Sequence, residues 1–230
     1  MSSPKSSAEL ELKRLLLGED AAARLLAVLG APRAVKHQVN HIFDTPERHL
    51  SQGRHSLRLR FENGQAVLTA KGPSRRVGAA ASLRTEAEAN IEAQVAADIL
   101  AGRRDPLAAL KEHEQNPDYA ELWRGIDLAL AGRPLQQMGH FENQRRCVPV
   151  TLPSGLRLEV ELDRTVLPGG RVEVEVEIEL PEEGSVAEVE SWFEELASAA
   201  GVKTTSSTPK IARFYAALTG ARDEQVPSPR

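Results

Sequence analysis

The chain has 230 residues, 41% hydrophobic and 27% charged, with a formal net charge of −4 and a single cysteine, Cys147. That length suits one large domain or two small ones; the lone thiol excludes an internal disulfide or a cysteine-rich metal site. The acidic balance and 4% aromatic content exclude a basic, base-stacking nucleic-acid platform.

The first residues, MSSPKSSAELELKR, contain no apolar signal core, and no apolar run approaches a membrane span. A soluble, cytoplasmic protein with no membrane partner and no stable nucleic-acid partner is expected, as a monomer or homodimer. Residues 1–7 and 221–230 are polar and contain Ser and Pro, so both read as loose tails around one domain over 8–220. Period-2 alternation predicts a first strand over 8–16 (AELELKRLL), and EDAAARLLAVLG (19–30) then reads as a helix with an acidic start and a Gly stop. VKHQVNHIF (35–43) is a weaker strand. HSLRLRFE (55–62) and QAVLTAK (65–71) are stronger ones, joined at ENGQ by Asn-Gly, the strongest short hairpin signal.

AASLRTEAE (80–88) is a further weak strand. An Ala/Leu-rich stretch over 90–132, broken near Pro106 and Pro117, predicts two or three helices within an insert over about 90–137. GHFENQRRCVPV (139–150), LRLEVELDR (156–164) and RVEVEVEIEL (171–180) return to strand alternation, with turns at LPSG and LPGG. SVAEVESWFEELASAAG (185–201) opens on the Ser185/Glu188 spacing of a capping box, and TPKIARFYAALTG (208–220) is a last helix. About eight strands without a βαβ rhythm predict an α+β fold with an antiparallel sheet, closed or strongly curved.

The alternation sorts charge. In a strand, i and i+2 share a face about 7 Å apart. Glu173, Glu175, Glu177 and Glu179 therefore form one row, as do Glu9, Glu11 and Lys13, Arg58 and Arg60, Arg84, Glu86 and Glu88, and Arg157, Glu159, Glu161 and Asp163. Two carboxylates at that distance repel by about 2 kcal/mol at an effective dielectric of 20 and about 0.6 kcal/mol in water. Any one such strand could be half-exposed sheet with its charges in water. Five of them, with acids and bases segregated, point to helices jacketing an apolar exterior and a lumen lined with both signs. Acidic oxygens suit Mg²⁺ or Mn²⁺, and Arg and Lys suit phosphate oxygens, so such a lumen suits a metal–polyphosphate ligand.

The motifs also resemble a known family. ELELK (9–13) is similar to the Glu-x-Glu-x-Lys signature of the CYTH superfamily, the triphosphate tunnel metalloenzymes. QVNHIFDTPERHLSQGRHSLRLR (38–60), LTAKGP (68–73), RTEAE (84–88) and VEVEIELP (174–181) resemble its later segments in the right order, over roughly 8–215. The resemblance implies a closed antiparallel eight-stranded β-barrel, a tunnel with helices packed outside, that binds a small-molecule triphosphate along its bore.

It also implies metal-side carboxylates at Glu9, Glu11, Glu175 and Glu177, with Glu161 and Asp163 as additions. Phosphate contacts are implied at Lys13, Arg58, Arg60, Lys71 and Lys210 and at Arg145 or Arg146, of which only one can face inward. Glu86 and Glu88 are expected to take metal or to fix a base by ion pairing, and Glu9, Glu11, Lys13, Arg58 and Arg60 to carry the catalysis. The activity this implies is a divalent-metal-dependent triphosphatase hydrolysing inorganic triphosphate (tripolyphosphate). Alternatives are a class IV-type adenylate cyclase, a thiamine triphosphatase or, from another class, a non-catalytic polyphosphate- or nucleotide-binding module. The six histidines show no zinc spacing, and Cys147 reads as buried filler.

Overall fold

The computed structural model describes residues 8–18, 20–79, 81–181 and 186–220; the expected tails and Ser185 of the capping box lie outside the described residues. Ten described strands form one antiparallel sheet: β1 (Ala8–Leu17), β2 (Ala34–Asp44), β3 (Ser56–Glu62), β4 (Gln65–Lys71), β5 (Arg75–Val77), β6 (Ala81–Ile91), β7 (Gln136–Thr151), β8 (Arg157–Val166), β9 (Val172–Glu179) and β10 (Lys203–Ser206). Eight of them close in the order β1-β9-β8-β7-β2-β3-β4-β6 and back to β1, whose first half pairs with β6. The short strands β5 and β10 are additions the alternation did not signal, paired to β6 and to the second half of β1. Between β3 and β4, Asn63 (φ 51°) and Gly64 (φ 79°) supply the two left-handed residues that a type I′ hairpin requires.

Seven described α-helices accompany the barrel: α1 (Ala21–Leu29), α2 (His49–Gln52), α3 (Ala93–Leu100), α4 (Pro106–His113), α5 (Ala120–Leu130), α6 (Val186–Ala199) and α7 (Lys210–Leu218). Pro106 opens α4, with Asp105 accepting from the Ala108 N–H, and a 3₁₀ turn at Pro117–Tyr119 leads into α5. No described helix is long and apolar enough to cross a membrane.

Most apolar residues of the strands face outward, Ile42 and Phe141 excepted. Leu12, Val160, Leu162, Val176 and Ile178 pack beneath Leu25 of α1 and Val189 and Phe193 of α6. Leu57, Leu59, Leu68 and Ala87 pack beneath α3, α4 and α5 through Ile99, Leu110 and Ile126. A third cluster differs in kind. Phe214 and Tyr215 of α7 meet Ile42, Phe141 and Leu167, so α7 lies across one end of the bore. Asp44 ties this end together, accepting from the N–H groups of Thr45, Leu50 and Ser51 and from the Tyr215 hydroxyl.

Candidate active site

With leucines and valines outside, the opposite residues of the same strands point into the barrel, and register decides who meets whom. Lys13 lies opposite Glu177, Arg145 opposite Asp163, Glu161 opposite Glu177 and Lys71 opposite Glu86. The result is a cavity of about 970 Å³. It brings together Glu9, Glu11, Lys13, Arg58, Arg60, Lys71, Arg145, Glu161, Asp163, Glu177 and Lys210, along with Glu86 and Glu88.

Its two walls differ. On the β1, β7, β8 and β9 side, acids and bases are tightly paired. Arg145 forms a fork on Asp163 (Nε to Oδ1 and Nη2 to Oδ2, both 2.7 Å), reaches Glu177 at 2.7 Å and also contacts Glu161. Lys210, at the start of α7, inserts its Nζ 2.7 Å from Asp163, 3.1 Å from Glu177 and 3.3 Å from Glu175. Lys13 sits 3.0 Å from Glu11 and 3.1 Å from Glu177.

On the side of β3, β4, β6 and the first half of β1, which pairs with β6, the contacts are looser. Arg60 is 3.4 Å from Glu88, Arg58 donates to Thr69 Oγ1 at 3.3 Å, Arg84 is 3.8 Å from Glu11, and Lys71 contacts Glu86 and lies 3.5 Å from Glu9. The buried Nε groups of Arg58, Arg60 and Arg84 have no hydrogen-bond partner, nor do Oε2 of Glu9 and Oε1 of Glu11. Buried polar groups are normally satisfied, so this wall has unused donors and acceptors inside an enclosed space.

Burial and neighbours set the protonation of these groups. Burial and a hydrogen bond with Glu86 push the Glu9 carboxyl up to about 8. Burial would raise Glu86 as well, but Lys71 overrides it and holds Glu86 below the ordinary carboxylate range. Asp163 is buried, yet Lys210 and Arg145 bring it down to about 2, and Glu177 is likewise lowered by Lys13, Lys210 and Arg145 against its own burial. Burial raises Glu161. Burial and the neighbouring Arg60 lower Arg58.

Two predicted residues fall outside the cavity. Arg146 is opposite Leu162 on the outer face and donates to Gln144 at 2.8 Å; of the adjacent pair, Arg145 is the one that points inward. Glu175 is only 1% exposed and does not line the cavity. Arg213 of α7 claims it, at 3.1 and 3.2 Å, while holding Glu173 at 2.7 Å. Sequence reasoning missed Arg213 and the Lys36–Glu62 pair, and it gave no site role to Asn40, which lies in the NHIFDTP segment of the resemblance and lines the cavity. The signal for Arg213 is its i+3 spacing from Lys210, one cationic stripe on a helix whose neighbouring Phe214 and Tyr215 are buried.

Elsewhere on the inner face, Cys147, Glu159 and Glu161 bring ligand atoms within 4.8 Å of one another. Both carboxylates already face arginines, Arg33 and Arg145, and burial lifts the Cys147 thiol to about 11, so it is a protonated thiol.

The sequence matches the CYTH domain over residues 7–215. Among solved structures, the chain is similar to a Hippeastrum protein named as an adenylyl cyclase and described as revealing a dominant triphosphatase activity. The two are 26% identical with a TM-score of 0.71, covering 90% of this chain and 95% of that one. It shares its fold with a Bacillus halodurans protein named as an adenylate cyclase (21% identity, TM-score 0.66, 91% and 99% covered) and with a Pyrococcus horikoshii protein (18%, 0.55, 93% and 99%). No curated protein sequence matches the chain. With a domain match over nearly its whole length and a closed eight-stranded barrel carrying both signs of charge inside, the chain belongs to the CYTH domain family.

Proposed function

We propose that this protein is a divalent-metal-dependent triphosphatase, hydrolysing inorganic triphosphate inside the barrel with Mg²⁺ or Mn²⁺, in the cytoplasm. One observation carries the reading: buried guanidinium Nε groups of Arg58, Arg60 and Arg84 share an enclosed cavity with buried carboxylate oxygens of Glu9 and Glu11, all without hydrogen-bond partners. The first set suits phosphate oxygens and the second a hard cation, whose preferred ligands are carboxylate oxygens.

Glu9 and Glu11, with Glu177, Asp163 and Glu161 beside them, would hold the metal. When bound it neutralises charge on phosphate oxygens and polarises water. The chain supplies the rest. Arg58, Arg60 and Lys71 line one side of the phosphate path and Lys13, Arg145 and Lys210 the other, so donors reach the non-bridging oxygens from both walls as charge builds there. Asp163, held ionised, fixes Arg145 and Lys210 in place. A ligand charged along its whole length matches an inner surface charged along most of its length, which favours inorganic triphosphate over a ligand that is half nucleoside. The activity in the description of the Hippeastrum relative agrees.

The test is phosphate release from tripolyphosphate, ATP and thiamine triphosphate, each with EDTA, Mg²⁺ or Mn²⁺. Metal-dependent release fastest from tripolyphosphate is the expected result. Pyrophosphate and cyclic AMP from ATP would overturn it in favour of a cyclase, and tight binding without turnover in favour of a binding module.

A further inference from the structure

The basic wall of the cavity is longer than a triphosphate. Arg60 and Arg58 face inward from β3, Arg58 opposite Ile42, and Lys71 stands opposite Ser56, one inward position further on. The wall continues where β4 ends. β5 pairs with the edge of β6 that β4 also uses, and Arg76 lies opposite Ser82, which shares the inward row of Arg84 and Glu86. Arg54, just ahead of β3, donates from Nη2 to the Ser74 carbonyl at 2.8 Å, in the link between β4 and β5. Arg54, Arg76 and Ser82 all line the cavity.

Length divides this wall into two stretches. A strand advances roughly 3.3 Å per residue, so the step from Arg60 to the level of Ser56 and Lys71 covers about 13 Å along the strands. From Glu86, opposite Lys71, to Ser82, opposite Arg76, β6 covers about 13 Å more. A triphosphate has four bridging P–O bonds, against six backbone bonds in two strand residues, so it spans less than about 7 Å. Arg60, Arg58 and Lys71 can lean onto one such ligand. Arg76 stands beyond it.

The outlying arginines are also uncommitted. Both are exposed; Arg54 bonds a carbonyl, and among the described residues neither has an ion-pair partner. Glu114, the helical insert's carboxylate in the lining, already accepts from the Asn116 N–H at 3.1 Å. Guanidinium groups suit phosphate oxygens. A ligand that fills the inner wall and still reaches Arg76 is a chain of phosphates continuing past three. A nucleic-acid strand would continue as well, but it needs aromatic surfaces on which its bases stack. The two aromatic residues in the lining, Tyr119 and Phe141, are each only 5% exposed.

We propose that this chain takes inorganic polyphosphates longer than triphosphate, threaded end-on, with Arg54 and Arg76 holding the phosphates that trail beyond Lys71. This rests on the triphosphatase reading and names the substrate class it serves. The chemistry is the same at any length. Water forms a bond to one phosphorus as the bridging P–O bond breaks, and the electron pair of that bond leaves on the departing chain. One water proton ends on each new terminus, so a chain of n phosphates and one water give two shorter chains totalling n.

The test compares hydrolysis of tripolyphosphate with that of size-fractionated polyphosphate of several tens of phosphates, at equal chain concentration and fixed free Mg²⁺, followed by phosphate release and by gel. Counted per chain, the wild-type KM for the long substrate is expected about tenfold below that for tripolyphosphate, with added salt narrowing the gap because the outlying charges are exposed. Arg76→Ala is expected to raise the long-chain KM about fivefold relative to the tripolyphosphate KM, and Arg76→Lys, which keeps the charge, to recover most of that. Arg54→Gln is expected to act in the same direction, and carries the test if Arg76→Ala does not fold. Equal KM values for the two lengths, no cleavage of the long chain, or an Arg76→Ala effect shared equally by both substrates overturns the inference while the triphosphatase reading stands. So does a 5′-triphosphorylated RNA oligonucleotide whose hydrolysis, unlike that of the long chain, depends on Arg76. A wild-type protein that hydrolyses neither length with Mg²⁺ or Mn²⁺ overturns both.

Discussion

Strand β9 contains the same alternation throughout, yet its two halves do different things. Glu173 and Glu175 are buried beneath α7 and held by the guanidinium of Arg213, which also bonds Ser207 and the Thr208 carbonyl. Glu177 and Glu179 line the cavity, where Glu177 faces three cations: Lys13, Arg145 and Lys210. Identical residue type, spacing and strand direction thus yield a structural lock at one end and cavity lining at the other. The difference lies in what covers each carboxylate. A helix side chain consumes the first pair, and the cavity leaves the second pair within reach of a ligand.

Removing the lock should have the largest effect. Arg213→Met removes the buried cation shared by two buried carboxylates, leaving Glu173 only the more exposed Arg171 and Glu175 only Lys210, and breaking a buried pair from one side costs about 3–5 kcal/mol. For a chain of this size that lowers Tm by roughly 10 °C. Arg213→Lys, which keeps a cation on α7, should recover part of that loss in thermal melts. No recovery would mean that Arg213 acts through the shape of its guanidinium and its packing rather than its charge.

The cavity half should respond in activity. Glu177→Gln keeps shape and hydrogen bonding, and Lys13, Arg145 and Lys210 retain Glu11, Asp163 and Glu175 as partners. We expect tripolyphosphate turnover to fall about 10²–10³-fold, or about 3–4 kcal/mol of transition-state stabilisation, with Tm little changed. Glu175→Gln should show the reverse, a lower Tm with metal dependence intact. Equal effects from both variants would erase the distinction between the halves.

Much of this was legible in the chain. Period-2 alternation marks β1, β3, β4, β8 and β9 and says which side chains share a face. The Asn63-Gly64 turn fixes one hairpin, and segregated charge places the polar side within an enclosure. What alternation cannot say is where an enclosure ends. Nothing in VEVEVEIE separates Glu175 from Glu177, because the partner that separates them, Arg213, lies on a helix about forty residues later. The pair Arg145 and Arg146 posed the same problem more simply: adjacent residues must oppose each other, but only pairing with Asp163 on β8 decides which is inside. Asn40 opens the NHIFDTP segment that carries part of the family resemblance, but alternation gives an uncharged amide no role, and only the structure shows that it lines the cavity.

Glu9 sharpens the contrast from the other wall, where the carboxylates are not neutralised by a lock. Its pKa is about 8, against an ordinary value of 4.5 for a carboxyl in the unfolded chain. The folded state thus retains a proton that the unfolded state releases, and the stability this confers is complete below about 4.5 and lost as pH rises through 8. Glu86 is shifted downward, so its own contribution changes below 4.5 and does not mask this window. In EDTA, Glu9→Gln should match the wild type near pH 5 and become the more stable protein by pH 8, as read from Tm. Added Mg²⁺ should reverse the order at pH 8, stabilising the wild type and leaving the variant nearly unchanged.

The smallest effect belongs to a residue on the other side of the same wall. Arg146 is one position from Arg145, carries the same charge, and differs only in pointing outward toward Gln144. If charge near the barrel were enough, through a general field attracting polyanions, removing either arginine would weaken substrate binding comparably, and added salt would screen both losses alike. If enclosure is what matters, Arg146→Ala should leave KM and kcat within about twofold and stability within about 0.5 kcal/mol. Arg145→Ala, which strands Glu161 and leaves Asp163 only Lys210, should lose both activity and stability, with little dependence on salt because the group it removes is buried.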